Sequence, residues 1–167
     1  MSDGTGTPTH EADGVTLLWV ERAEQLRAAQ ALRVRVFCEE QGVPREVELD
    51  AGDDVARHAI AVAPDGAVVG TMRLLVRDGV VKVGRVAVDR EWRGRGIASR
   101  LLERAHDYAQ RQRADTLRLA AQTAAQRLYA KSGFRPVGEP FDEAGIEHVW
   151  MVREVVPLKP LRRRPPT

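Results

Sequence analysis

Apolar positions along the chain switch between two periods. VTLLWV at residues 15–20 is a short apolar run that reads as a strand, and over residues 23–40 Leu26, Ala29, Arg33, Val36 and Phe37 fall along one helical stripe. The arginine in that stripe is out of place. Gly42 and Pro44 close the helix and open an acidic stretch, EVELDAGDD, before a strand HAIAVA at residues 58–63. Pro64-Asp65-Gly66 turns the chain into AVVGTMRLLV, and Arg77-Asp78-Gly79 turns it again into VVKVGRVAV, so the spacing predicts an antiparallel meander. Beyond it Ile97, Ala98, Leu101, Leu102, Ala105, Tyr108 and Ala109 recur at helical spacing within residues 95–113. A strand TLRLAA, a helix over residues 123–132 and a C-terminal strand around HVWMVREV complete the pattern. Strand, helix, strand in that order requires a crossover, which makes the middle of the sheet parallel. The expected fold class is α/β (α+β), with a mixed central sheet, antiparallel early and parallel in the middle, and helices covering it.

Length and composition narrow this picture. With 167 residues and 43% hydrophobic content the chain suits one compact domain and one core. The expected boundaries are a disordered tail at 1–13, a folded domain at 14–157 and a basic, proline-containing tail at 158–167. The last ten residues hold four of the 26 basic side chains and the first 13 hold three of the 24 acidic ones, leaving 22 basic and 21 acidic residues between them. No global basic field argues for nucleic acid, and no apolar run of spanning length argues for a membrane. A single cysteine, Cys38, excludes an internal disulfide and fits a reducing cytoplasm.

The richest stretch for chemistry is GRVAVDREWRGRGIASRLLERAHDYA, residues 84–109, where Gly94 and Gly96 sit between Arg93, Arg95 and Arg100 at a strand-to-helix boundary. The first N–H groups of a helix lack intrahelical partners and lie at the positive end of its dipole. Glycines let an anion approach the backbone, and arginines add charge-assisted bonds. The arrangement suits a diphosphate cradle, whereas two glycines alone suit a loop with solvated arginines. The strand before and the amphipathic helix after favour the cradle. A dinucleotide fingerprint fits poorly because Ser99 stands at its third position, and a P-loop is excluded because no lysine follows Gly96.

Arg93-Gly94-Arg95-Gly96-Ile97-Ala98 resembles the R/Q-x-x-G-x-G/A signature of the GNAT superfamily of acyl-CoA-dependent N-acyltransferases. Ala125-Gln126-Arg127-Leu128-Tyr129-Ala130-Lys131-Ser132-Gly133-Phe134 is similar to that family's A-x-x-L-Y-x-K-x-G-F segment. LRVRVFCEEQGVPREVELDAGDD and GIEHVWM look like the small bacterial ElaA-type branch, so the resemblance covers about residues 15–153. It implies acetyl-CoA as co-substrate, with its pyrophosphate on the N–H groups of residues 94–98 and the Ser99 hydroxyl. It further implies that the pantetheine arm pairs with the strand of Val86, Ala87 and Val88, that parallel strands splay beside the thioester, and that Tyr129 is the general acid. Where many relatives have an asparagine on the pantetheine arm, this chain has Gln122.

The proton acceptor is open. Several relatives use a glutamate on the strand before the cradle, where this chain offers Lys82 and Arg85. Candidates are the loop carboxylates Glu46, Glu48, Asp50, Asp53 and Asp54, of which Glu48 and Asp50 lead, and the imidazoles of His58 and His148. The acidic loop could equally face a cationic amine or simply solvent. No calcium loop pattern and no metal-ligand spacing occur, so no metal is expected. The expected activity is direct acetyl transfer from acetyl-CoA to a primary amine of a small molecule or peptide. The rivals are an acylhomoserine-lactone-synthase-like enzyme and an acyl-CoA-binding module without catalysis. The acceptor and oligomeric state are open, with a homodimer among the options.

Overall fold

The computed structural model describes residues 14–159; both expected tails, apart from Leu158 and Lys159, lie outside the described residues. The chain runs β1 (Thr16–Trp19), α1 (Ala23–Arg33), a π-helical segment Val34–Glu40, a single turn α2 (Arg45–Glu48), a 3-10 turn Ala51–Asp54, then β2 (Arg57–Val62), β3 (Val68–Arg77) and β4 (Val80–Val88). A 3-10 turn Arg90–Trp92 precedes α3 (Ile97–Arg111), and β5 (Thr116–Gln122), a 3-10 turn Thr123–Ala125, α4 (Gln126–Lys131), β6 (Arg135–Glu143) and β7 (Ile146–Glu154) follow. The sheet has seven strands in the order β1-β2-β3-β4-β5-β7-β6. Its parallel pairing, Val80–Lys82 of β4 with Thr116–Arg118 of β5, is the mixed arrangement expected from the crossover.

The described chain divides into two compact units, one of residues up to Leu75 with Gly84–Leu101, the other of Val76–Val83 with Leu102 onward. In the first, β1 and β2 and then β2 and β3 pair antiparallel, as the turn residues predict. Leu32 of α1 and Val36 of the π-helical segment pack on Ala87 of β4, with Phe37 and Val68 beside them. Gly70 lets α3 approach closely: a Cβ there would lie 2.9 Å from Ile97 Cγ2 and 3.0 Å from Ala61 Cβ. Any side chain at this position would push the start of α3 outward.

In the second unit β5 alternates, burying Leu117, Leu119 and Ala121 and leaving Arg118 exposed. The turn between β3 and β4 places Asp78 at φ 50° and Gly79 at φ 76°, the double left-handed geometry of a two-residue hairpin. β6, unforeseen in the sequence, pairs antiparallel with β7 and forms the sheet edge. Its Pro136 and Pro140 interrupt the strand signal, yet a strand at an edge tolerates residues that cannot donate.

Candidate functional site

The cradle stretch lies in the first unit. Gly94 and Gly96 adopt φ 76° and 80°, a region L-residues avoid, and a Cβ on either would meet nothing within 4 Å. The glycines are thus required by backbone conformation and face open space. The first helical bond runs from Arg100 N to Gly96 O at 3.1 Å, which leaves the N–H groups of Ile97, Ala98 and Ser99 without acceptors inside the helix. α3 is 15 residues long, enough for a full dipole at this end.

The arginines around the glycines have partners in the protein. Arg93 donates from Nη2 to both Glu40 oxygens, at 3.1 and 2.8 Å, and from Nε to Val88 O at 3.0 Å. Arg95 stacks on Trp92, 4.5 Å from its ring centroid, and Arg100 donates to Val15 O at 3.0 Å. The polar groups left without partners at this junction are therefore the backbone N–H groups at the start of α3 rather than the arginines. Of the neighbouring strand, Ala87 faces the core while Val86 and Val88 are half-buried.

The acidic stretch read as a loop is folded into α2 and the 3-10 turn, and its carboxylates hold arginines. Arg33 is 1% exposed; its Nε donates to Glu48 Oε1 at 2.7 Å and its Nη1 to Asp53 Oδ1 at 2.9 Å. Arg73 donates to Asp50 Oδ1 at 2.6 Å and Asp53 Oδ1 at 3.1 Å. Arg85, itself at φ 54°, lies 3.1 Å from both Glu48 Oε2 and Asp50 Oδ2. Three guanidinium groups thus face three carboxylates, and Gln30 adds a bond to Asp53 at 3.0 Å. This explains the arginine in the apolar stripe of α1. Glu46 and Asp54 are exposed. His58 joins the cluster through Nε2, 2.9 Å from Asp53 O, while its buried Nδ1 has no hydrogen-bond partner among the described residues.

Burial pushes the Glu48 carboxyl up despite Arg33 and Arg85. For Asp50 burial acts upward too, but Arg73 and Arg85 outweigh it and hold the carboxyl below its usual range; Arg33, Gln30 and Arg73 do the same for Asp53. A depressed carboxyl stabilises the fold above its unfolded pKa and loses that contribution as pH falls through the folded value. Glu48 has the opposite sign: its raised carboxyl costs stability where it is ionised, and that cost is relieved as pH falls through its folded value. The expected result is that the two aspartates keep their full contribution down to about pH 4, near the unfolded aspartate value, and lose it below, while Glu48 adds stability on the way down. Melting curves of the parent and of Asp53→Asn check this: the acid fall should be shallower in the variant, and equal slopes would contradict it.

The other candidates lie in the second unit. Tyr129 on α4 is half-buried and meets Phe134 edge-on, with centroids 6.2 Å apart; burial pushes its phenol up to about 12. Among the described residues its hydroxyl has no hydrogen-bond partner. Gln122 ends β5 opposite His148 of β7. His148 Nδ1 lies 2.7 Å from Ile146 O, an acceptor only, so Nδ1 donates there, and Nε2 faces Glu143 at 3.9 Å. Sequence reasoning missed Arg33 and Arg73 as anchors of the acidic turns, and missed Arg118, Phe141 and Trp150 beside His148. The buried-face position of Arg33 was the available signal for the first; nothing marked the second before β6 was known.

Cys38 is free and half-buried, with burial pushing its thiol up. Among the described residues no group of three or more His, Cys, Asp or Glu is placed to hold a metal ion, and no helix is long and apolar enough to cross a membrane.

The profile of the acetyltransferase (GNAT) domain matches residues 14–155. The uncharacterized N-acetyltransferase YjcF of Bacillus subtilis (strain 168) is 34% identical over 132 residues, which cover 78% of this chain and 94% of that protein. Protein ElaA of Escherichia coli (strain K12) is 34% identical over 139 residues, 79% of this chain and 89% of its own. The crystal structure of a putative N-acetyltransferase from Lactobacillus plantarum superposes with a TM-score of 0.79 at 30% identity, covering 85% of this chain and 99% of that one.

Proposed function

Because the chain belongs to the GNAT acetyltransferase family, we propose that it transfers an acetyl group directly from acetyl-CoA to a primary amine, with no covalent enzyme intermediate. The observation that carries this reading is the junction before α3, with two left-handed glycines facing open space and unpartnered N–H groups behind them. The diphosphate takes the backbone N–H groups of Gly94, Arg95, Gly96, Ile97 and Ala98 together with the Ser99 hydroxyl. With Arg93 held by Glu40, the backbone supplies most of the attraction. Val86, Ala87 and Val88 receive the pantetheine arm, and the family resemblance assigns Gln122 to the same arm.

The neutral amine attacks the thioester carbon, the C–S bond breaks, and one proton passes overall from nitrogen to sulfur. We assign the proton acceptor to His148 Nε2, whose lone pair is free in the neutral ring because Nδ1 donates to Ile146 O. Glu48 and Asp50 are the weaker candidates, since their carboxylates are held by arginines. Tyr129 acts on the leaving sulfur. A phenol at about 12 stays protonated at neutral pH. Full transfer to a thiolate of ordinary basicity, pKa roughly 8.5, is uphill, so its hydroxyl stabilises the departing charge chiefly as a hydrogen-bond donor. Tyr129→Phe keeps the ring and its contact with Phe134, and kcat should fall roughly 10- to 1,000-fold with the melting temperature and CoA affinity little changed. A variant with full kcat while chemistry limits the rate would reduce Tyr129 to a packing residue.

Release of free thiol from acetyl-CoA, followed with a panel of primary amines, tests the reaction. Amine-dependent release supports it, whereas CoA binding with no release beyond the rate in buffer favours a binding module.

A further inference from the structure

One face of the second unit's sheet gathers aromatic rings and positive charge. Opposite Ala120 and Gln122 of β5 stand Trp150 and His148 of β7, and Phe141 of β6 stacks on both, at 5.6 Å from Trp150 and 5.8 Å from His148. The Arg118 guanidinium carbon lies 3.9 Å from the Trp150 ring centroid, and Lys82 Nζ lies 5.6 Å from it. Lys82 and Arg118 are cross-strand neighbours in the parallel pair. Like charges so placed repel each other, and an anion between them would relieve that cost.

Among the described residues neither cation forms a salt bridge. Four hairpin carboxylates are engaged elsewhere, Glu154 with Arg135 at 2.7 Å, Glu147 with Thr123 at 3.0 Å, Asp142 with Gly145 N at 3.1 Å, and Glu143 beside His148 at 3.9 Å, while the fifth, Glu139, is exposed and forms no salt bridge with either cation. A guanidinium stacked on an indole keeps its N–H donors in the plane, around the rim, where they form a fork for a carboxylate.

We propose that this face binds the acceptor, and that the acceptor is an amine with a carboxylate at its far end: a primary amine and a carboxylate separated by an apolar or aromatic spacer. The carboxylate sits on Arg118 and Lys82, the spacer lies against Trp150 and Phe141, and the amine points to His148 Nε2. Trp150 and His148 are two residues apart on one strand, so amine and carboxylate are held roughly 7 Å apart. This assignment rests on the acyltransfer reading and narrows its substrate. It also reverses the charge expected from the acidic stretch, whose carboxylates serve the protein's own arginines.

The test compares 4-(aminomethyl)benzoate with 4-(aminomethyl)benzamide, which differ only in the charge at the far end. The parent should favour the acid by about 10-fold or more in kcat/KM, the worth of one charge-assisted bond, and the Lys82→Gln, Arg118→Gln double variant should bring the ratio close to one. A loss of folding would lower both rates and leave the ratio, so a preserved ratio in the variant overturns the proposal, as does a parent without preference. Should neither amine be acetylated, the indole N–H resonance of Trp150, assigned with Trp150→Phe, is followed while the benzoate is added in the presence of CoA. A saturating shift that the benzamide does not reproduce keeps the proposal and sinks the acyltransfer reading; no shift overturns the proposal. A concentration-dependent dimer that Trp150→Ala dissolves would assign the face to a second copy of the chain and overturn it as well.

Discussion

Gly94→Val and Gly96→Val should each abolish measurable CoA binding while leaving a folded protein. At φ 76° and 80° a β-branched residue is strained by about 1–3 kcal/mol, and the new side chain would extend into the open space beside the start of α3. Loss of two charge-assisted bonds, each about 1.5–3 kcal/mol, corresponds to an affinity lower by roughly 100-fold or more. Calorimetry with CoA reads the effect, and circular dichroism verifies that the variant is folded. Gly94→Ala is a graded control that should retain part of the affinity. Undiminished binding by a folded valine variant would show that the junction is only a turn.

Arg33→Ala should be the most destabilising single change in the first unit. The side chain is 1% exposed and holds Glu48 and Asp53, which are themselves 3% and 5% exposed. Its removal leaves buried carboxylates short of a counter-charge and creates a cavity. Breaking a buried pair in this way costs about 3–5 kcal/mol. For a chain of this size that lowers the melting temperature by roughly 6–20 °C. The cost follows from an unpaired charge rather than from the worth of the bridge, so Arg33→Lys, which keeps the charge but not the fork, should fall between. Differential scanning calorimetry measures both, and an Arg33→Ala variant that melts with the parent would mean that water or Arg73 takes over both carboxylates without loss.

Much of the meander was legible because its turn residues are the ones such turns demand: Asp78-Gly79 announces a two-residue hairpin by chemistry alone. The helix after the cradle was equally plain, with its apolar positions repeating along one face. β6 was not, because Pro136, Gly138 and Pro140 break the alternation, and its pairing depends on β7 rather than on local preference. The acidic stretch was misleading for a related reason. Charge in sequence marks a solvated surface unless a distant opposite charge meets it, and Arg73 and Arg85 lie on strands well downstream. Arg33 alone gave warning, as a charge on a face that helical periodicity sends inward. The cradle glycines were legible both for close approach and for backbone angles other residues avoid, and their φ values of 76° and 80° fit the second reason. The face of Arg118, Phe141 and Trp150 depends on three strands coming together, which no local pattern encodes.

Calorimetric titration with CoA beside pantetheine, which keeps the thiol arm and lacks the nucleotide and its diphosphate, tests the central claim most directly. The cradle predicts one CoA per chain and an affinity for pantetheine weaker by roughly 100-fold or more, since the charge-assisted bonds to the diphosphate go with it. No heat with CoA, or equal affinity for the two, would contradict it.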